Sequence, residues 1–224
     1  RGKQWYLAYL FVDPKYQSKG LGRAILERCL EYGRGKADSF ALATFPYNET
    51  ALALYSSFGM MPTTPVFEMH KKNKRTETIE STKLQVEEDN SNKAIIRINK
   101  LEKAIRGYSH LIDWRFFAES PGYKIMQFYS GSKWVGYSLI ARSSLIAPIG
   151  AVIPQYIPQI LAESVGICLK LNSEICRLWV PGPNSLAYGQ AIKLGFKIQE
   201  MQVILTSKPY GDFSRYCPGN LAMF

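Results

Sequence analysis

The strongest constraint on this chain is an internal repeat. Asn48-Glu-Thr-Ala51-Leu-Ala-Leu-Tyr55-Ser-Ser-Phe-Gly59-Met60 aligns without a gap with Asn184-Ser-Leu-Ala187-Tyr-Gly-Gln-Ala191-Ile-Lys-Leu-Gly195-Phe196. Asn, Ala, Gly and a closing apolar residue recur at the same offsets, and each copy follows a strand-like segment and a proline, Pro46 or Pro183. A supersecondary unit used twice predicts two copies of one fold rather than one large domain. Each half reads as strand, helix, strand, helix, strand, an alternation that predicts helices on both faces of a mixed sheet. The fold class expected is α/β (α+β), with a boundary in Lys71–Arg75, so that residues 1–75 form the first copy and 76–224 the second.

The elements follow from period and punctuation. Trp5–Val12 is apolar and aromatic throughout and predicts a strand buried on both faces. Arg23–Tyr32 places Ala24, Ile25, Leu26, Cys29 and Leu30 at helical spacing. Ser39–Phe45 reads as a strand, Asn48–Phe58 as a helix ended by Gly59, and Val66–Met69 as a short strand. In the second half, Asn92–Phe117 is helical with a break at Gly107. A hairpin is expected around Ser130–Lys133, joining Tyr123–Tyr129 to Trp134–Arg142. Ala147–Ile153, Tyr156–Leu171, Ile175–Val180, Asn184–Leu194 and Met201–Thr206 then read as strand, helix, strand, helix, strand.

Composition removes several function classes. The chain of 224 residues is 46% hydrophobic and 21% charged, enough apolar material for a packed core. The most apolar stretch, Tyr137–Ile153, is interrupted by Arg142, so no membrane span is expected. Four scattered cysteines without a C-x-x-C pair, and two histidines, give no zinc or disulfide framework; no metal is expected, and a reducing cytoplasm fits the cysteine usage. The net charge of +10 allows either a polyanion or a small phosphorylated ligand. The basic run His70–Arg75 has no aromatic interleaved and reads as a solvated linker, so neither nucleic acid nor membrane is expected as a partner.

The chemistry-bearing constellation is a strand, then Gln17-Ser18-Lys19-Gly20-Leu21-Gly22, then an amphipathic helix opening with Arg23. Glycines let the backbone approach a ligand and turn successive N–H groups toward it. The helix N-terminus adds the positive end of its dipole, and Lys19 and Arg23 add formal charge. That combination is a diphosphate cradle; by itself it is also compatible with an ordinary glycine turn. Asn48 and Tyr55 lie two turns apart on one helix face. Singly they read as an N-cap and a core aromatic; beside the glycine loop they read as parts of a site.

These residues resemble the later half of a GNAT (Gcn5-related) N-acetyltransferase, over residues 5–70. The resemblance implies that Gln17, Ser18, Lys19, Gly20, Leu21, Gly22 and Arg23 grip the coenzyme A pyrophosphate through backbone amides. It implies that Leu10, Phe11 and Val12 lie on a splayed strand that pairs with the pantetheine, that Asn48 contacts the pantetheine arm, and that Tyr55 protonates the departing thiolate. Acetyl-coenzyme A is then the co-substrate, and a primary amine of a small molecule or peptide the acceptor, in a monomer or homodimer. No general base is named. Where many members carry a strand Glu, this chain has Trp5, Tyr6, Ala8 and Tyr9.

The second copy departs from that pattern. Pro154-Gln-Tyr-Ile-Pro158 has no glycine and two residues without an amide donor, and Ala191 stands where Tyr55 stands. This half is expected not to bind coenzyme A productively, and instead to complete the architecture and shape the acceptor pocket; the whole is similar to bacterial tandem-GNAT proteins with a degenerate C-terminal copy. The first copy lacks the strand, two helices and hairpin that open a full one, which predicts a longer parent protein. Two rival functions stay open: a non-catalytic acyl-coenzyme A-binding or interaction protein, and a basic nucleic-acid binder.

Overall fold

The computed structural model describes residues 2–74, 77–171 and 174–221. Arg75, the end of the expected linker, and Thr76, the expected start of the second copy, lie outside the described residues. The chain separates into two compact units, residues 1–65 with 202–209 and 221–224, and residues 66–201 with 210–220. The end of the chain therefore contributes to both units.

In the first unit β1 (Gln4–Leu7) runs parallel to β2 (Ser39–Thr44), and β2 pairs antiparallel with residues 203–206 of β9 (Lys197–Thr206). β3 (Met61–Lys72) lies next to β9, where the Thr63 hydroxyl donates to the Ile204 carbonyl. Helix α1 (Leu21–Gly33) buries Leu26 and Leu30, and α2 (Glu49–Ser56) buries Tyr55. These three side chains form one core with Leu42, Met60 and Leu205.

In the second unit residues 66–72 of β3 pair antiparallel with β8 (Ile175–Pro181). A second sheet has the order β10-β7-β6-β5-β4 and is antiparallel throughout. Its strands are β4 (Gln85–Glu88), β5 (Tyr123–Ser130), β6 (Lys133–Ala141), β7 (Ile146–Ala151) and β10 (Tyr216–Cys217). The expected hairpin and the break at Gly107 are both present: α3 (Asn92–Arg106) ends on Gly107 and α4 (Leu111–Glu119) comes next. Helix α5 (Ile157–Leu169) packs its apolar face into the core of this unit, and α6 (Ser185–Lys193) buries Ala187 and Ala191. β4 and β10, neither expected from sequence, depend on pairing with distant strands.

The repeat recurs bond by bond. The Asn48 side chain accepts from the Ala51 amide at 3.1 Å, and that of Asn184 from the Ala187 amide at 3.0 Å. Met60 N donates to the Tyr55 carbonyl at 3.2 Å, and Phe196 N to the Ala191 carbonyl at 3.0 Å. Helices α1 and α5 both span 13 residues. Both are preceded by a Pro-x-Tyr 3-10 turn, Pro14–Tyr16 in the first copy and Pro154–Tyr156 in the second. Beyond that turn the two copies differ. In the first, Gln17–Gly20 intervene before the helix; in the second, Tyr156 runs directly into α5 at Ile157. The segment missing from the second copy is the glycine loop itself.

The two capping asparagines sit in different surroundings, which separates their energetic roles. Asn48 is exposed, whereas Asn184 is fully buried and also bonds the backbone of β10. Asn48→Ala is expected to cost about 1 kcal/mol, the loss of an N-cap. Asn184→Ala is expected to cost about 2–3 kcal/mol, because it also strands a buried carbonyl. Urea denaturation of both variants measures the difference, and equal losses would contradict it.

Candidate functional site

The expected strand over Trp5–Val12 ends early. β1 stops at Leu7, and residues 8–13 pair with no strand among the described residues. β2 meanwhile continues to Thr44 along β9, so the two strands diverge beyond Leu7. Leu10 still packs on the core of the first unit, while Phe11 is 82% exposed and stacks on Tyr9 at 5.7 Å. An apolar, unpaired strand extension beside a diverging neighbour leaves backbone groups available to a ligand.

The glycine loop is reached through a tight turn. Asp13 caps it by accepting from the Lys15 amide at 2.9 Å, and Gln17 Nε2 donates to the Val12 carbonyl at 3.0 Å, tying the loop to the end of the open segment. Ser18 has φ 60° and Gly20 φ 80°, so left-handed conformations alternate along the loop. Such alternation is the backbone pattern by which successive N–H groups can face one anion. Helix α1 makes its first bond from Ala24 N to the Gly20 carbonyl at 3.0 Å. Among the described residues, the amides of Ser18, Lys19, Gly20, Leu21, Gly22 and Arg23 donate to no protein acceptor. The first turn of α1 carries no acidic residue that would offset its dipole.

The two glycines have different tasks. A Cβ on Gly20 would meet nothing within 4 Å, so that position is constrained by its backbone angle and faces open space. A Cβ on Gly22 would make ordinary contact with Leu54 at 3.7 Å and Val12 at 3.8 Å. Lys19 lies over the Tyr16 ring at 5.4 Å, and Arg23 bonds the Ser57 hydroxyl at 3.2 Å and covers the Phe58 ring at 5.1 Å. Both cations are exposed. Of the residues expected to contact a diphosphate, Gln17 thus spends its side chain on Val12, while the run from Ser18 to Arg23 keeps its amides.

Asn48 commits Oδ1 to capping α2, and the Nδ2 of its exposed side chain donates to no acceptor among the described residues. Two turns further on, Tyr55 is 7% exposed, and burial raises its phenol above the ordinary value. Sequence reasoning had no signal for the Val12–Gln17 clamp, the left-handed Ser18 or the Ser57 partner of Arg23, since all three depend on loop geometry. Among the described residues, no group of three or more His, Cys, Asp or Glu could hold a metal ion, and no helix is long and apolar enough to cross a membrane.

Residues 1–60 match the family model described as the Acetyltransferase (GNAT) family. A search of the curated proteins finds no match. Solved structures resemble the chain over nearly its whole length. A protein of Pyrococcus horikoshii assigned as an acetyltransferase superposes with TM-score 0.74 at 18% identity, over 99% of this chain and 72% of its own. A GCN5-related N-acetyltransferase from Sphaerobacter thermophilus gives 0.66 at 16% identity, over 96% and 76%. A tandem GNAT protein from the clavulanic acid biosynthesis pathway gives 0.64 at 12% identity, over 93% and 76%. The fold is accordingly that of GNAT proteins, in tandem.

Proposed function

We propose that this chain, which has the GNAT fold and matches the GNAT family model over residues 1–60, transfers an acetyl group from acetyl-coenzyme A to a primary amine of a small molecule or peptide. The observation that carries the reading is the run of amides from Ser18 to Arg23, aligned by two left-handed residues and committed to no protein acceptor among the described residues. Such a run suits a diphosphate, since each amide offers a hydrogen bond and the helix dipole adds favourable potential.

The remaining residues fit an extended acyl carrier leading away from that cradle. The unpaired 8–13 segment, with Leu10, Phe11 and Val12, offers backbone groups to the amides of a pantetheine arm, and Asn48 Nδ2 adds a side-chain donor. A strand amide near the thioester carbonyl stabilises the oxyanion that forms there. The neutral amine nitrogen forms the new C–N bond as the C–S bond breaks. The sulfur leaves with the bonding pair and takes a proton from the Tyr55 hydroxyl. The amine surrenders its extra proton to solvent, and Tyr55 is reprotonated from water.

Burial supports the assignment of Tyr55 as the acid, because it keeps the phenol neutral at any pH where the amine acceptor works. The sign is definite. A raised phenol value contributes stability that is complete below the ordinary value of 10.0 and is lost as pH rises through the raised one. The alkaline limb of kcat that reports Tyr55 is therefore expected above pH 10.0. A limb below that value that disappears on changing Tyr55 to Phe would place a different ionisation at this residue.

The direct test is calorimetric titration of acetyl-coenzyme A, followed by thiol release over a panel of amines. One equivalent bound with turnover supports the reading. Saturable binding without turnover on any amine would leave a non-catalytic acyl-coenzyme A-binding protein, and no binding would remove both.

A further inference from the structure

The divergence that the first copy leaves open is filled in the second. Leu145, the residue before β7, forms an isolated parallel bridge with Arg177 of β8. Alongside, β10 pairs antiparallel with β7, Tyr216 opposite Gly150 and Cys217 opposite Ile149, and it also touches β8. By the matched Pro-x-Tyr turns, Ile149 and Gly150 correspond to Tyr9 and Leu10, residues of the unpaired segment. Asn184, the counterpart of Asn48, turns its Nδ2 onto the Tyr216 carbonyl at 3.4 Å and toward Cys217 Sγ at 3.7 Å. The donor that is exposed in the first copy is consumed in the second by the protein's own backbone.

The Tyr216 side chain completes the fit. It is 1% exposed, and its hydroxyl accepts from Arg106 Nη1 at 2.7 Å. Arg106 Nη2 donates to Tyr108 at 2.9 Å, and the guanidinium lies 5.0 Å from both ring centroids. Beside this cluster the buried Glu102 carboxylate accepts from Tyr137 at 2.6 Å and from Trp114 at 2.9 Å. The Tyr137 ring presses on Gly150, where an added Cβ would sit 2.5 Å from a ring carbon. Removing β10 would expose an unpaired β7 edge, leave Asn184 Nδ2 without its acceptors and take a phenol from a buried guanidinium, each a cost of desolvation.

We propose that residues 213–217 are the resident ligand of the second copy: a strand of the chain's own C-terminal region occupies the cleft between β7 and β8, anchored by Tyr216, in the position where the first copy takes the pantetheine arm. The name of that arm rests on the function proposed above; the occupancy of the second cleft does not. An extended peptide and a pantetheine arm both present amides along a thin chain, so one slot suits either. Here the slot has lost the glycine loop and holds the peptide. The chain therefore binds one acyl carrier, not two.

Cys217 reports on the seating of β10. It is fully buried, and burial pushes its thiol up to about 12, so it reacts with alkylating agents only after β10 leaves the slot. The experiment is iodoacetamide labelling of the full chain, with each cysteine quantified by peptide mass spectrometry and the partly exposed Cys29 as internal reference. Cys217 is expected to label at least about 100-fold more slowly than Cys29 in the wild type, and saturating acetyl-coenzyme A is expected to leave its rate unchanged. Tyr216→Phe, which keeps the ring and drops the anchoring hydroxyl, is expected to speed labelling about 5–10-fold, and Tyr216→Ala more where it folds.

Wild-type labelling of Cys217 as fast as Cys29 would overturn the proposal. So would acceleration by acetyl-coenzyme A in a Gly20→Glu background, which would mean that the second slot takes the carrier. Protection of Cys217 in a protein that shows no acetyl-coenzyme A binding would instead refute only the function proposed for the first copy.

Discussion

Acetyl-coenzyme A titrated into the Gly20→Glu variant is expected to produce no saturable heat, against one equivalent bound by the wild type. Two effects add. Gly20 holds φ 80°, and an L side chain in that region costs roughly 1–2 kcal/mol, so the loop tends to leave the cradle geometry. The new carboxylate also projects from a position where a Cβ meets nothing within 4 Å, the space the diphosphate would use. There it competes for the same amides as an intramolecular anion and repels the ligand. Affinity is expected to fall at least about 100-fold, equivalent to about 2.7 kcal/mol. Gly20→Ala isolates the backbone part and should lose about tenfold. Gly22→Ala, whose Cβ makes only ordinary contacts, should stay within a few-fold. Binding of Gly20→Glu within threefold of the wild type would remove the diphosphate cradle from this loop.

The second large effect is expected on the chemical step. Tyr55→Phe should lower kcat by about 10²–10³-fold, the usual contribution of a positioned general acid, while affinity for acetyl-coenzyme A changes by less than about threefold. The ring is packed with Leu26, Leu30, Leu42, Met60 and Leu205, and Phe preserves that packing, so stability should move by less than about 1 kcal/mol. The split between turnover and binding is what identifies an acid rather than a packing residue. Tyr55→Ala, which copies the residue found at Ala191, is less informative, because it also opens a core cavity at a cost of about 3–5 kcal/mol. Turnover of Tyr55→Phe within threefold of wild type would leave the thiolate to be protonated from water.

The geometry of the candidate site was legible in the sequence where its requirements are local. A glycine at a left-handed position, an asparagine capping a helix and an apolar stripe at helical spacing each act within a few residues, and Gly20, Asn48 and α1 stand as those signals imply. Apolar runs were misleading where the partner is absent. Trp5–Val12 has the composition of a buried strand, yet only Gln4–Leu7 pairs, and Tyr9 and Phe11 are 66% and 82% exposed. Hydrophobicity marks surface that leaves water, and does not distinguish a core from a ligand slot. β3 was longer than its apolar pattern indicated, since Met61–Pro65 is held by the sheet despite its prolines and threonines. The shortening of the second copy emerges only when Pro14–Tyr16 and Pro154–Tyr156 are matched as turns, because the local sequences share two residues.

The repeat, the helices with their caps, the glycine loop and the lack of a second such loop are readable along the chain, because short-range sterics and hydrogen bonds settle them. Long-range packing alone set the pairing of β7 by β10, while residues 8–13 of the first copy pair with no strand among the described residues. β10 is two residues long and carries no periodicity of its own, and it exists because Tyr216 and Cys217 meet Gly150 and Ile149 from far along the chain. A cleft is defined by what does not fill it, and that depends on contacts between segments whose separation no local pattern records.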